Sequence, residues 1–412
     1  MEEWTQYKLI DVLDTLIDYR GKTPKKTTSG VPLITAKIIK NGRIETPTEF
    51  ISYDDYSSWM VRGFPKVGDV VLTTEAPLGE VAQLDNENVA LAQRVVTLRG
   101  KAGILDNTYL KYYLLSNVGQ QRLKARETGT TVTGIKQSEL REVLVDCPPY
   151  DYQQKIASIL KSLDDKIECN RRINENLEQQ AQALFKSWFV DFEPFKNQPF
   201  VESELGMIPQ GWRVGTLGDI CVTNKRTYKG DFVSEIEYLD TGCVTNNIID
   251  TPQILNPAID KIPSRARRAV TEGDIIYSSV RPNQRHYALL FNPSSNTVVS
   301  TGFVVITANW SGYRYYIYQY LIQDEIVNKL QAIAEQSVST FPSLNASDLT
   351  NLKIVIPPND VVGDFAALNC SFITQINKKQ QESRRLAELR DTLLPRLMSG
   401  ELKVNDLENN EI

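Results

Sequence analysis

The 412-residue sequence contains only one histidine, His286, and this scarcity excludes several enzyme classes. Metalloproteases of the H-E-x-x-H type need two histidines, so they are excluded. Any histidine-based acid–base catalysis would have to use His286 alone. The sequence therefore has almost none of the histidines that the commonest catalytic sites use.

Cysteine is also sparse, with five residues at positions 147, 169, 221, 243 and 370 and no C-x-x-C pair. This pattern fits neither a zinc site nor a secreted disulfide framework, and it indicates reduced thiols. The N-terminal residues show no signal peptide, and no run of 18 apolar residues is present. We therefore expect a cytoplasmic protein with no membrane association.

Three short segments resemble catalytic motifs but lack essential residues. Pro148-Pro149-Tyr150 follows Asp146-Cys147 rather than the Asn of an N-P-P-Y motif. Gly21-Lys22-Thr23 resembles the end of a P-loop, but Leu16 stands where that motif needs glycine. Glu401-Leu402-Lys403 has no suitable Pro-Asp upstream of it. We therefore expect a protein without a catalytic site of its own.

The sequence contains an internal duplication at a spacing of about 205 to 209 residues. Val67-Gly68-Asp69-Val70-Val71-Leu72 returns as Glu272-Gly273-Asp274-Ile275-Ile276-Tyr277, and Pro148-Pro149 returns as Pro357-Pro358. In each copy, short β-rich runs precede a helix-rich stretch, a strand that ends in Pro-Pro, and a long helix. The sequence therefore predicts an α+β protein made of two copies of one module.

The two predicted long helices carry apolar residues at alternating spacings of four and three, which is typical of a coiled-coil seam. The seam of the first helix is Ile156, Leu160, Leu163, Ile167, Asn170, Asn174, Leu177, Ala181, Leu184 and Trp188. The corresponding positions of the second run from Phe365 to Leu397 and become polar at Lys379 and Ser383. Both seams are polar in the middle, so we expect the two helices to pair with each other.

Charge is unevenly placed, although the net charge of −5 argues against a generic nucleic-acid binder. Basic residues cluster at similar positions in both copies, interleaved with Thr, Ser, Asn, Gln and Tyr. Lys and Arg suit phosphates, and forked Arg or amide groups suit base edges, so these clusters favour DNA-facing surfaces. His286 is interpreted as a loop or DNA-contact residue. The candidate DNA-binding residues are Lys22, Lys25, Lys26, Thr27, Lys37, Lys136, Lys225, Arg226, Lys229, Arg267, Arg268, Arg281 and Arg285.

Several segments resemble the specificity subunits of type I restriction–modification systems. The most specific runs from Ser203-Glu204-Leu205-Gly206 through Ile208-Pro209-Gln210-Gly211-Trp212 to Leu217-Gly218-Asp219-Ile220. Arg20-Gly21-Lys22-Thr23-Pro24, Gln153-Gln154-Lys155-Ile156 and Leu393-Leu394-Pro395-Arg396-Leu397 are similar to further family patterns. The resemblance spans the whole chain, including the duplication and both helices.

The resemblance implies two target-recognition domains, over 1–149 and 193–358, separated by long helices over 150–192 and 359–400, with a polar tail over 401–412. The helices would form an antiparallel coiled coil with pseudo-twofold symmetry and set the gap between two DNA half-sites. Partners would be double-stranded DNA, two methyltransferase (modification) subunits and motor–nuclease (restriction) subunits. S-adenosylmethionine, ATP and Mg would bind to those subunits, with no cofactor and no metal in this chain.

Two alternatives remain open from the sequence. The chain could be a pseudo-symmetric coiled-coil scaffold that bridges protein partners without DNA specificity. It could also be an enzyme whose site is not recognisable from its motifs. Sequence-selective affinity for DNA would distinguish the specificity subunit from the scaffold, and hydrolysis or methylation by the isolated chain would reveal an enzyme.

Overall fold

The computed structural model describes residues 4–129, 133–230, 235–336 and 342–404. The chain divides into two compact units: unit 1 comprises Met1–Glu168 with Ser383–Ile412, and unit 2 comprises Cys169–Glu382. Each unit thus takes one part of each long helix, and the five-part division drawn from the sequence stays a prediction. Of the tail predicted over 401–412, residues 405–412 lie outside the described part, whereas Val404 is buried in the core of unit 1.

Unit 1 combines two small sheets with helices packed against them. Its strands and helices are, in chain order, β1 (Thr5–Lys8), α1 (Leu9–Val12), β2 (Leu13–Asp18), β3 (Lys26–Thr27), β4 (Val31–Ile34), β5 (Ile39–Lys40), β6 (Arg43–Ile44), β7 (Phe50–Ile51), α2 (Tyr53–Trp59), β8 (Val70–Thr74), β9 (Leu78–Gln83), β10 (Ala90–Leu91), β11 (Val95–Gly100), α3 (Asn107–Leu115), α4 (Asn117–Lys124), α5 (Gln137–Arg141), β12 (Leu144–Cys147) and the first part of α6 (Tyr150–Phe189). One sheet has the order β2-β11-β8-β9 and the other the order β10-β4-β7-β3, while β1 pairs with β12. Every residue of β8 is buried, because both faces of this central strand are covered.

Unit 2 is built from the rest of α6 and the elements that follow it. These are β13 (Phe200–Ser203), β14 (Gly206–Pro209), β15 (Arg213–Thr216), β16 (Cys221–Thr223), β17 (Ile236–Leu239), β18 (Val244–Thr245), β19 (Ile248–Ile249), β20 (Gln253–Leu255), β21 (Ala266–Ala269), β22 (Ile275–Ser278), β23 (Tyr287–Leu289), β24 (Thr297–Ser300), β25 (Phe303–Ala308), α7 (Tyr313–Leu321), α8 (Asp324–Glu335), α9 (Ala346–Thr350), β26 (Lys353–Ile356) and the first part of α10 (Asn359–Met398). Its two four-stranded sheets have the orders β16-β25-β22-β23 and β20-β17-β24-β21.

The predicted duplication is confirmed by the topology. β4 begins at 31 and its counterpart β17 at 236, an offset of 205 residues, whereas α6 and α10 begin at 150 and 359, an offset of 209. In both units the second sheet contains one parallel pair, β4 with β10 at one edge in unit 1 and β17 with β24 at the centre in unit 2. The sheets differ at one edge strand, because β3 joins the β7 side in unit 1 and β21 joins the β24 side in unit 2.

The repeated Gly-Asp pair forms the same turn before β8 and before β22. Gly68 and Gly273 have φ of 87° and 80°, in the left-handed region that favours glycine. The following Asp69 and Asp274 are each 1% exposed and accept a hydrogen bond from the backbone N–H three residues earlier, at 2.8 Å in both units. A cation balances each buried carboxylate: Arg99 lies 2.7 Å from Asp69, and Arg226 lies 3.5 Å from Asp274.

The helix-rich stretch of unit 1 is two helices rather than one, because Ser116 ends α3 and caps α4. Its backbone is extended, and its hydroxyl accepts a hydrogen bond from the Gly119 N–H at 3.2 Å. A Cβ on Gly119 would lie 2.1 Å from the Tyr113 carbonyl oxygen, so only glycine allows the two helices to approach this closely. The corresponding stretch of unit 2 is likewise divided, into α7 and α8.

The predicted coiled-coil seam is confirmed by burial, since none of its positions on α6 or α10 is exposed. Leu368 and Leu389, which flank the second seam, remain 47% and 43% exposed. Within unit 2, Asn170 donates a hydrogen bond to Glu382 at 3.1 Å, and the rings of Phe185 and Phe365 lie 6.1 Å apart. Residue numbers rise along α6 as they fall along α10, so the helices are antiparallel. Asn170 is fully buried and lies where the sequence predicts a polar seam.

Each unit joins its long helices to the rest of its fold through a half-buried carboxylate of α6. In unit 1 this is Asp164, which accepts hydrogen bonds from Lys111 at 3.0 Å, Tyr112 at 2.7 Å and Arg390 at 2.8 Å. Burial alone would raise the pKa of Asp164, but Lys111, Arg390 and the Tyr112 hydroxyl together hold it below the ordinary value. Asp164 is therefore ionised and joins α3, α6 and α10.

In unit 2 the corresponding contact uses Glu178, whose hydrogen-bond partners among the described residues are both uncharged. One carboxylate oxygen accepts hydrogen bonds from Asn247 at 2.8 Å and Tyr318 at 3.0 Å, while the other is buried without a partner in the described part of the chain. Burial raises the pKa of Glu178 despite these two hydrogen bonds. Asn247 lies in the turn between β18 and β19, and its carbonyl accepts from Gln380 of α10 at 2.8 Å.

Removing the Asp164 carboxylate will destabilise the protein strongly. Asp164→Ala leaves the buried Lys111 without its partner, and such a loss costs about 3–5 kcal/mol of unfolding free energy. Asp165→Ala is the matched control, because Asp165 is exposed and forms only a surface pair with Lys161, worth at most about 1 kcal/mol. Equal losses for the two variants in urea denaturation would contradict the assigned role of Asp164.

The Glu178→Gln variant will be more stable than the wild type at high pH, and this difference will shrink as the pH falls. A carboxyl whose pKa is raised in the folded state binds its proton more tightly there, so the wild type loses stability as pH rises through that pKa. The glutamine variant cannot ionise and will melt higher at pH 8, by about 2–4 °C per kcal/mol gained. Its advantage in thermal unfolding will shrink at pH 5. An advantage that grows toward low pH would show that Glu178 is stabilised as the anion.

Candidate nucleic-acid interface

A cleft in unit 1 forms where the parallel strands β4 and β10 end. Leu33 and Ile34 pair with Ala90 and Leu91, so the residues that follow each strand come to the same edge of the sheet. The resulting cleft has a volume of about 580 Å³. Its lining residues are Thr23, Pro24, Lys26, Thr35, Ala36, Lys37, Ile39, Lys40, Glu49, Ala76, Pro77, Glu80, Ala92, Gln93 and Arg94.

Most cations of this cleft are paired with a carboxylate. Lys26 lies 2.9 Å from Glu49, Lys40 lies 3.3 Å from Glu45, and Arg94 lies 2.9 Å from Glu75. Lys37 is the exception, since it is exposed on a 3₁₀ helix, Ala36–Ile38, and has no acidic partner among the described residues. The cleft therefore combines neutralised pairs, which keep free N–H donors, with one unpaired positive charge.

The structure brings together some of the residues predicted for unit 1 and separates others. Lys26 and Lys37 line the cleft, and Lys22 and Lys25 are exposed in the connection that leads to it. The Thr27 hydroxyl donates to the Ser29 carbonyl at 2.8 Å. Lys136 is exposed at the beginning of α5 and does not line the cleft.

In unit 2 the structure unites two basic segments that lie about 40 residues apart in sequence. The Tyr228 N–H donates to the Arg267 carbonyl at 2.8 Å, and Thr227 bridges to Arg268, so residues 225–229 run beside the edge strand β21. The exposed predicted residues of this surface are Lys225, Lys229 and Arg267.

Arg226 and Arg268 are less accessible than the sequence suggested. Arg226 donates to Thr271 and pairs with the buried Asp274, so it balances a charge inside the domain. Arg268 is half-buried, and its Nε has no hydrogen-bond partner in the described part of the chain. Burial lowers the pKa of Arg268, because no anion compensates for the lost solvent.

The predicted Arg281 and Arg285 flank a short 3₁₀ helix, Pro282–Gln284, between β22 and β23. Both have positive φ, at 49° and 57°. Arg285 donates to Asp324 at 2.5 Å, and this hydrogen bond raises the pKa of its guanidinium. His286, which follows, hydrogen-bonds through its ring Nδ1 to the Val244 carbonyl at 2.6 Å, so it is tied to the β18–β19 hairpin.

The polar residues at or beside the cleft that the sequence-based set omits include Lys40, Glu75, Gln93 and Arg94. Lys40 belongs to the basic run that the sequence shows, and that signal could have included it. Gln93 and Arg94 stand alone between two buried strands and carry no local signal. The Thr23 hydroxyl donates to the Gln93 side-chain oxygen at 3.0 Å, which orients the amide beside Arg94.

Comparison with known proteins identifies the family of this chain. The family described as "Type I restriction modification DNA specificity domain" matches residues 1–179 and 209–382. The chain belongs to this family. The match covers the two repeated modules, and it does not favour the alternative of a scaffold without DNA specificity.

Two specificity subunits and one solved structure resemble the chain over most of its length. It is 31% identical to the type I restriction enzyme MjaIX specificity subunit of Methanocaldococcus jannaschii, covering 98% of this chain and 95% of that protein. It is 24% identical to the HindI specificity subunit of Haemophilus influenzae, covering 82% and 87%. The S subunit from M. genitalium shares the fold, with a TM-score of 0.55, 18% identity and 96% coverage of both chains.

As a member of this family, the chain gives a type I restriction–modification system its DNA sequence specificity. Such subunits work within a complex with other subunits and DNA. Within the described residues, no helix has the length and apolar character needed to span a membrane.

Removing the charge of Lys37, the unpaired lysine of the cleft, will reduce the salt dependence of DNA binding. Each lost phosphate contact lowers the slope of log K against log salt by about 0.9. We expect this loss for Lys37→Ala, measured by fluorescence anisotropy on a duplex that carries the target. Lys66→Ala is the control, because Lys66 is exposed before the first residue of β8, at the opposite end of that strand. An unchanged slope for Lys37→Ala would remove Lys37 from the interface.

Proposed function

We propose that each unit reads one half of a bipartite duplex target, and that unit 1 does so through the cleft at the ends of β4 and β10. The observation that carries this proposal is that the same strand edge exists in both units but bears different side chains. To read two different half-sites, two copies of one fold need different polar groups at the edge that meets the DNA.

The differences can be followed position by position from the equivalence of the strands. Lys37, three residues beyond the end of β4, corresponds to Gly242, three residues beyond the end of β17. Ala76 and Arg281 both have φ of 49°, both directly precede a proline, and both follow the matching strands β8 and β22. An arginine thus stands in unit 2 where unit 1 has alanine. The hydrogen-bonding groups at this edge therefore change while the backbone is retained.

The pairing of cleft cations with carboxylates supports selective rather than general binding. A cation already paired with a carboxylate gains little from an additional phosphate, so these pairs contribute less to non-specific affinity. Their remaining N–H groups can still donate to base edges, which are neutral. This arrangement suits a subunit with a net charge of −5 that discriminates between sequences.

The remaining steps of the reaction belong to partner subunits. We propose that two methyltransferase subunits use S-adenosylmethionine to methylate adenine, and that motor–nuclease subunits use ATP and Mg²⁺ for cleavage. The chain itself supplies recognition and performs no catalysis. The antiparallel helices α6 and α10 set the gap between the half-sites and give the molecule its pseudo-twofold symmetry.

Genome-wide mapping of adenine methylation tests the proposal. Cells that carry this chain with its cognate methyltransferase will methylate a split motif of two short specific halves around a fixed gap, and deletion of the chain will abolish that motif. Lys37→Glu will weaken methylation at the same motif, while Lys66→Glu will leave it unchanged. A motif that persists after deletion of the chain, with the methyltransferase intact, would reject the proposed function.

A further inference from the structure

One ion pair at the cleft of unit 1 places the guanidinium of Arg94 against the carboxylate of Glu75. The Arg94 Nε lies 2.9 Å from a Glu75 carboxylate oxygen, and the two side chains keep 47% and 38% of their surface exposed. The pair is therefore accessible to a ligand. Nε is the guanidinium nitrogen nearest to the carboxylate, so the terminal N–H groups can still donate to a ligand.

The backbone on both sides of this pair is firmly anchored. The Arg94 carbonyl accepts hydrogen bonds from the N–H and the hydroxyl of Thr74, at 3.0 and 3.3 Å, and Thr74 is 1% exposed. Glu75 follows Thr74 directly and bridges to Gly134. A Cβ on Gly134 would lie 2.7 Å from the Thr74 carbonyl oxygen, so glycine is required for this contact. Both side chains therefore extend from fixed backbone positions, which limits the geometries that the ion pair can adopt.

The chemistry of the pair favours a base edge over a phosphate. The Glu75 carboxylate neutralises the guanidinium and would repel a phosphate placed against it. The forked terminal donors of arginine match the O6 and N7 acceptors of guanine in the major groove, which carry no net charge. Lys37 of the same cleft shows the opposite chemistry, a point charge without an acidic partner among the described residues, which suits a phosphate.

We propose that Arg94 recognises a guanine in the half-site read by unit 1, and that Glu75 is the positioning residue that holds its guanidinium. This inference rests on the proposed function of the cleft. Among the described residues the corresponding edge of unit 2 has no such pair, because Thr301 and Gly302 precede β25 where Gln93 and Arg94 precede β11. This arginine contact to guanine therefore belongs to unit 1.

The test compares variants of the full chain by methylation mapping in cells that also carry its methyltransferase. Arg94→Ala and Arg94→Lys will both relax one G·C position of one half-site, since lysine keeps the charge but loses the fork. The expected loss of discrimination there is about 5- to 150-fold, the value of one bidentate contact. The other half-site and the gap will stay unchanged, which also shows that the variants are folded.

Two substitutions of Glu75 separate positioning from charge. Glu75→Gln keeps an oxygen that can accept from the Arg94 Nε, so the motif will be retained, and the restored positive charge will steepen the salt dependence of duplex binding. Glu75→Ala removes the acceptor and will relax the same position as Arg94→Ala does. A purely structural role for Glu75 would lower methylation at every site without changing the motif.

Failure of this inference is distinguishable from failure of the proposed function. If Lys37→Glu weakens methylation but Arg94→Lys keeps every position of the motif, the cleft binds DNA and Arg94 reads no base. A half-site without any G·C pair, in the half affected by Lys37→Glu, would also overturn the assignment. If neither Lys37→Glu nor Arg94→Ala changes methylation, the cleft is not the recognition surface.

Discussion

The structure depends on the packing of α6 and α10 against the sheets of each unit. In unit 1, Ile156 and Leu160 of α6 and Leu397 of α10 belong to the same core as Leu110 of α3. In unit 2, Phe189 lies 4.8 Å from Phe365 and 4.7 Å from Tyr316, measured between ring centroids. The helices are therefore part of both cores and not merely connectors. Since the middle of their seam is polar, apolar packing against each globular part adds to what the seam contributes.

The polar contacts that accompany this packing differ between the units. Asp164 is stabilised by Lys111 and Arg390, whereas Glu178 is held only by neutral donors and has a raised pKa. Duplication thus preserved the topology while the buried charges diverged. The Gly-Asp turn shows the same divergence, because Arg99 balances Asp69 from β11 but Arg226 balances Asp274 from the segment after β16.

Local charge pairing explains how a protein with a net negative charge can bind DNA selectively. A surface of unpaired lysines would bind any duplex, and its affinity would fall steeply with salt. In unit 1, three of the four cleft cations have a carboxylate within 3.3 Å, which limits that general attraction. The groups that remain are directional donors on rigid strand ends. Their value lies in discrimination between bases and not in total affinity.

The sequence alone determined the features that depend on short-range periodicity or repeated local motifs. The seam positions of α6 and α10, the polar layer at Asn170 and the Gly-Asp turns follow from spacing and residue type, because neighbours along a helix or a turn are neighbours in sequence. The duplication is visible for the same reason. The family resemblance came from continuous segments such as Gly206-Met207-Ile208-Pro209.

Only the tertiary structure decided which polar residues share a surface. Arg94 meets Glu75 where β11 pairs with β8, and it shares a cleft with Lys37, which lies far earlier in the chain, because β10 pairs in parallel with β4. Arg226 resembles a free surface cation in the sequence, yet the fold places it against a buried aspartate. Charge counts along a chain cannot distinguish a cation that balances an internal carboxylate from one that faces solvent, since that distinction arises only when distant strands meet.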